Sequence, residues 1–244
     1  MYNRNRNRLP PQLQCLFINW NSLSGAIPEG AFVKGSKLRN LKFNNNKFTG
    51  PIPSSIGNLQ SLESMGFNGN QLEGPLPAEL GLLKKLSYCN LGNNSISGEI
   101  PLEIGSCSSL EILWLFWNQL SGGIPKEIGN LTNLQQMKVE GNGLTGCVPE
   151  ELCKLKSLKV LELWSNHLTG TLPITLAEGL PNLTQILIDS ENDAGGHEDG
   201  NNFTNLVEFL AALKESHPSV FEGGTRKDFQ SDNRIAGMHR AKAM

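Results

Sequence analysis

The chain has 244 residues, a formal net charge of −2, and only 38% apolar and 18% charged residues. That length allows one or two domains. The charge excludes nucleic acid as the main partner, because phosphate binding needs a basic surface, and no apolar run approaches the ~18 residues that would indicate a membrane span.

Residues 1–12 read as an irregular N-terminal flank. Positive charge at Arg4, Arg6 and Arg8 is followed by no apolar stretch, so no secretory signal peptide is read there.

From residue 13 to residue 192 one pattern repeats. Asn21, Asn46, Asn70, Asn94, Asn118, Asn142 and Asn166 follow one another at intervals of 25, 24, 24, 24, 24 and 24 residues. The unit around the fifth reads Leu110-x-x-Leu113-x-Leu115-x-x-Asn118-x-Leu120-x-Gly122-x-Ile124-Pro125. A fixed period of this size marks a solenoid of about eight repeats, with the first and last divergent. The L-x-x-L-x-L tract predicts a short strand with one buried face. Stacked repeats place these strands side by side as a parallel sheet. The asparagine follows the strand where the chain turns inward. Its amide both donates and accepts, so it can satisfy backbone groups that the turn buries.

Next in each repeat comes an L-[ST]-G-x-[IL]-P tract, as in Leu23-Ser-Gly-Ala-Ile-Pro28 and Leu168-Thr-Gly-Thr-Leu-Pro173. Glycine permits backbone angles that other residues resist, and proline fixes φ where the outer side begins. Short helical turns are expected there, over Ser54 to Leu59 and Lys126 to Leu131 among others. In these residues the chain resembles the plant-type leucine-rich repeats of receptor-kinase ectodomains, receptor-like proteins and polygalacturonase inhibitors. The resemblance implies an α/β fold: a right-handed leucine-rich repeat solenoid with a parallel concave sheet and short helical turns on the convex side. It also implies ligand recognition by exposed strand residues, and an extracellular or cell-surface location, although no signal peptide, membrane helix or kinase signature is read in this chain.

The repeat register sorts the concave face into columns. One runs Phe17, Lys42, Gly66, Asn90, Trp114, Lys138, Glu162, Leu187. A second runs Asn19, Asn44, Asn68, Gly92, Phe116, Glu140, Trp164, Asp189. A third runs Trp20, Asn45, Gly69, Asn93, Trp117, Gly141, Ser165, Ser190. All four tryptophans fall in these outward columns, and clustered exposed aromatics suggest an interaction site. The candidate partner-binding residues are therefore Trp114, Phe116, Trp117, Lys138, Glu140, Glu162 and Trp164. Lys138 stands beside Trp114 and Glu162, placed for a cation–π contact on one side and an ion pair on the other. The earlier repeats offer a flat polar face, rich in asparagine and glycine, with little to anchor a partner. Strand positions favour aromatics in general, which is the competing explanation of the cluster.

No catalytic, metal or cofactor site is indicated. His167, His197, His217 and His239 are scattered, and no zinc-binding, phosphate-loop or hydrolase-elbow spacing occurs. Glu140 and Glu162 are expected on an open sheet that cannot exclude water, so neither raised pKa values nor acid/base work is expected of them. Cys89 replaces a repeat leucine and reads as a small buried hydrophobe. Cys147 and Cys153 are close enough in sequence for a bridge to be considered.

The ladder position of the eighth repeat holds Glu191, where the array is expected to end. Residues 193–202 read as an acidic, glycine-rich loop; counted from Asp189, the sixth and twelfth positions, where a calcium loop wants glycine and glutamate, hold Ala194 and Gly200. Residues 203–221 read as a capping helix, with Phe203, Leu206, Val207, Leu210 and Leu213 at helical spacing and Asn205 with Glu208 as a capping box. Residues 222–244 read as a disordered tail. The functional expectation is a non-enzymatic module that binds a protein or peptide on its concave face, with neither nucleic acid nor membrane insertion. The alternatives are an inhibitor of a secreted cell-wall hydrolase and a truncated receptor ectodomain fragment without independent function.

Overall fold

The computed structural model describes residues 8–188, 200–218 and 220. The L-x-x-L-x-L tracts form eight concave strands: β1 (Cys15–Phe17), β2 (Asn40–Lys42), β3 (Ser64–Gly66), β4 (Tyr88–Asn90), β5 (Ile112–Trp114), β6 (Gln136–Lys138), β7 (Val160–Glu162) and β8 (Gln185–Leu187). They pair in chain order as one parallel sheet. Each strand is three residues long, and its middle side chain points into the solenoid. Leu41, Met65, Cys89, Leu113, Met137 and Leu161 there have no solvent exposure. Cys89 thus packs as the small hydrophobe its position predicts.

The ladder works as the chemistry of asparagine requires. The Asn94 amide donates to the Phe67 and Leu91 carbonyls at 3.1 and 3.0 Å, while its Oδ1 accepts from the Leu72 N–H at 3.0 Å. One side chain therefore ties two successive repeats and satisfies three backbone groups that water cannot reach. Asn21 begins the ladder, and among the described residues its side chain bonds within its own repeat, to the Ile18 and Asn19 carbonyls.

The tract after each asparagine does more than turn. Residues Ser24–Ala26, Lys47–Gly50, Gln71–Pro75, Ser95–Glu99 and Gln119–Ser121 pair as a second parallel sheet of five strands. Glycines at positive φ, such as Gly50 and Gly122, end these strands. Prolines at φ near −65° then open tight 3-10 turns, including Ser54–Asn58 and Lys126–Asn130, where helical turns are expected. The turns stack so closely that a Cβ on Gly105 would lie 2.3 Å from the Glu127 carbonyl oxygen. Only glycine fits such an approach. The sixth turn widens into the helix α1 (Ile174–Gly179). Between sheet and turns runs one continuous apolar core, from Ile27 to Leu213.

The C-terminal end departs from the sequence register. Asn201 takes the ladder place assigned to Glu191. Its Oδ1 accepts from Leu168 N–H at 2.9 Å, and its Nδ2 donates to the Leu163 and Ile188 carbonyls at 3.0 and 2.6 Å. Strand Asn202–Phe203 then pairs in parallel with Thr169–Gly170. Asn201-Asn-Phe-Thr-Asn205 is a repeat tract, comparable with Asn46-Lys-Phe-Thr-Gly50. The acidic segment is thus an insertion within the eighth repeat, and residues 189–199 of it lie outside the described residues.

Helix α2 (Leu206–Ser216) follows and packs on α1. The core face is carried by Phe209 and Leu213, both without exposure, whereas Val207 is 82% exposed. Phe203 lies in the preceding strand. No capping box forms. The Asn205 amide instead turns back to Leu172, accepting from its N–H at 2.7 Å and donating to its carbonyl at 2.9 Å. His217 caps the helix end, with Nε2 2.7 Å from the Leu180 carbonyl. The tail from 221 onward lies outside the described residues. All five cysteines are free, Cys147 and Cys153 included.

Candidate functional site

The concave columns follow from strand register. Phe17 is partnered with Lys42, Lys42 with Gly66, Gly66 with Asn90, Asn90 with Trp114, Trp114 with Lys138, Lys138 with Glu162, and Glu162 with Leu187. The second column continues this alignment beyond the strands. Asn93 N–H donates to the Phe116 carbonyl, Trp117 N–H to that of Glu140, and Gly141 N–H to that of Trp164. Asp189 and Ser190, the last members of two columns, lie outside the described residues.

The third column has a conformational character that the residue spacing did not disclose. Its described members Trp20, Asn45, Gly69, Asn93, Trp117, Gly141 and Ser165 all have φ between 50° and 67°. Asparagine and glycine tolerate this left-handed region, whereas a bulky aromatic there is an outlier costing about 1–2 kcal/mol. Trp20 and Trp117 hold it nonetheless. Trp117 lays its ring over Gly141, where an added Cβ would meet it at 2.6 Å, and reaches across that rung to Trp164. The two rings meet edge to face at 5.7 Å. Phe116 likewise lies over Gly92, at 2.6 Å from a notional Cβ.

The charged residues join this aromatic group. Lys138 Nζ lies 2.6 Å from Glu162 Oε1 and 5.7 Å from the centre of the Trp114 ring, so both expected contacts form. Gln185 Nε2 also donates to Glu162 Oε1, at 2.9 Å. Trp114 contacts Phe116 at 6.2 Å and Tyr88 at 5.8 Å. The pairwise contacts form two aromatic groups, with Lys138 and Glu140 on the rung between Trp117 and Trp164 and Glu162 on that of Trp164.

The open-sheet expectation for Glu140 is overturned. Glu140 is only 5% exposed, and its pKa is raised to about 8, first by burial and then by the neighbouring Glu162 carboxylate. The cause of burial is geometric. Phe116 and Trp164 flank Glu140 in the second column, and the Trp117–Trp164 contact bridges the rung on which it sits. Among the described residues neither its Oε2 nor the buried Trp114 Nε1 has a hydrogen-bond partner. Lys138 pairs with Glu162 and leaves Glu140 without an ion-pair partner among the described residues.

The column two residues before the first also faces outward. It supplies Tyr88 and Gln185. Lys42 reaches over the Tyr88 ring at 4.0 Å and donates to Ser64 Oγ at 2.7 Å, while Asn90 Nδ2 contacts the Tyr88 hydroxyl at 3.2 Å. Desolvation lowers the Lys42 pKa and raises that of Tyr88. The alternation that places one outward residue after each middle leucine places another before it, so the signal was present in the strand pattern.

Comparison with known proteins agrees with this architecture. A family model described as a leucine-rich repeat region matches residues 13–169, and the chain belongs to the leucine-rich repeat family. Its repeats are of the plant type. A crystal structure of a TDR receptor is 33% identical, with a TM-score of 0.71, over 78% of this chain and 31% of that one. The Arabidopsis receptor kinase HAESA, solved with the peptide hormone IDA and the co-receptor SERK1, is 37% identical, with a TM-score of 0.65, over 72% of this chain and 32% of that one. A leucine-rich repeat protein of Leptospira interrogans is 30% identical, with a TM-score of 0.66, over 85% of this chain and 47% of that one. The chain spans about a third of the length of the two plant receptors. A search of curated proteins found no match.

Proposed function

We propose that this chain is a non-catalytic recognition module that binds a peptide or protein on its concave face, extracellularly, with repeats five to seven at the centre. The observation that carries this reading is the aromatic cluster. Trp114, Phe116, Trp117 and Trp164 stand on the sheet face instead of in the core, and Trp117 is held in a backbone conformation that disfavours it. Strain of that kind concentrates at functional sites, and large aromatics beside charged groups are the usual anchors of protein interfaces. The complex of HAESA with a peptide hormone lends the reading support by family. Lys138, Glu140 and Glu162 supply the polar contacts.

A pull-down from an extracellular extract tests it, with the Trp114→Ala/Trp117→Ala double variant as control. A partner retained equally by both proteins would sink the placement. Inhibition of a secreted cell-wall hydrolase is the second reading by resemblance, and polygalacturonase assays with and without the protein separate it from the first.

A further inference from the structure

We propose that Glu140 is a cation-accepting subsite, where a guanidinium or ammonium group of the bound peptide pairs with the carboxylate that the Trp117–Trp164 contact covers in the free protein. This inference rests on the concave-face reading above and names the chemistry at its centre.

The argument begins from polar groups left over. Glu162 is satisfied twice, by Lys138 and by Gln185. Glu140 is 95% removed from solvent by its 5% exposure, yet its Oε2 has no partner among the described residues. A buried carboxyl in that state is costly unless a donor completes it. The surroundings select the donor. Four aromatic side chains, Trp114, Phe116, Trp117 and Trp164, share this face, and the faces of such rings attract cations. An anionic group would meet Glu140 and Glu162 together, with Lys138 already paired. Trp117 lies over Gly141, the residue after Glu140, and is 40% exposed, so a rotation of its side chain opens that rung to the carboxyl. The incoming cation then takes the ring's place against Glu140 and keeps aromatic contact.

Proton linkage gives the subsite a signature. Among the described residues the charged groups acting on Glu140 are Glu162 from β7 and Lys138 from its own repeat. With its pKa raised to about 8, the free carboxyl is mostly protonated at neutral pH. A cation pairs with the ionised form, so binding releases a proton. Affinity therefore rises with pH, by up to about tenfold per unit below pH 8.

The test is selection of a random dodecapeptide display library on the immobilised full chain at pH 8, in parallel on wild type and Glu140→Gln. Selected peptides are then synthesised with arginine or with uncharged citrulline at the shared position, and their affinities followed by tryptophan fluorescence from pH 6 to 8.5. We expect wild type to enrich arginine or lysine at one position, and citrulline to weaken binding at least tenfold. In Glu140→Gln the citrulline exchange should cost less than twofold, and the pH profile should flatten. Far-UV circular dichroism confirms that the variant is folded. Peptides that bind without any shared cation, or a citrulline penalty equal in both proteins, overturn the subsite and leave the concave-face reading standing. Failure to enrich any peptide, or enrichment indifferent to Trp114→Ala/Trp117→Ala, overturns both.

Discussion

Replacing Glu140 by glutamine should stabilise the protein increasingly as pH rises. The carboxyl has a folded-state pKa of about 8 against an ordinary 4.5, so the folded state binds its proton more tightly than the unfolded chain does. The sign follows from linkage: this contribution is fully present below pH 4.5 and lost as pH climbs through 8. At about 1.4 kcal/mol per pH unit the loss reaches about 3 kcal/mol by pH 7 and about 5 kcal/mol above pH 8.5, as upper bounds. Relaxation and water entry reduce such penalties, so a change of about 1–3 kcal/mol between pH 5 and 8.5 is expected. Glutamine keeps the shape and removes the titration. Urea unfolding of both proteins at pH 5, 7 and 8.5 measures the difference, with the slope monitored because repeat arrays can lose two-state behaviour. A stability difference that stays constant across this range would refute the reasoning, because it would mean that Glu140 is solvated in the folded state.

Trp117→Asn should leave stability within about 1 kcal/mol of wild type, since relief of the left-handed backbone offsets the lost Trp164 contact, while partner binding weakens by about 2 kcal/mol or more if the ring is a hot spot. Thermal unfolding and titration calorimetry separate the two effects. Asn94→Ala strands the Leu72 N–H and takes one of two donors from the Phe67 and Leu91 carbonyls, which Asn70 and Asn118 still reach, and should cost about 1–3 kcal/mol in denaturant unfolding. Asn201→Ala should raise hydrogen exchange at the Leu168 amide, which bonds to its Oδ1, without loosening the Leu72 amide far up the array. Lys138→Met leaves two adjacent buried carboxylates, and its destabilisation should be larger at pH 8 than at pH 5 when followed by thermal melts.

The ladder spacing and the L-[ST]-G-x-[IL]-P tract determined the repeat, the parallel sheet and the membership of each column, because a constant period converts sequence distance directly into strand register. That is why the spacing alone sets Lys138 between Trp114 and Glu162. Register says which residues are neighbours, but not which way long side chains lean. The burial of Glu140 arises from Trp117 reaching across Gly141 to Trp164, a contact between residues two repeats apart, and the strain at Trp117 is a property of backbone angles that its apolar character does not announce. Tyr88 and Gln185 are legible in the strand alternation, since the residue two before each first-column position faces the same side. Asn201 was hidden for a different reason. An insertion displaces it ten residues beyond Glu191, so the period that revealed every other rung pointed to the wrong residue. Only the stacking of the chain, where one amide accepts from the Leu168 N–H and donates to the Ile188 carbonyl, shows that the ladder has an eighth member.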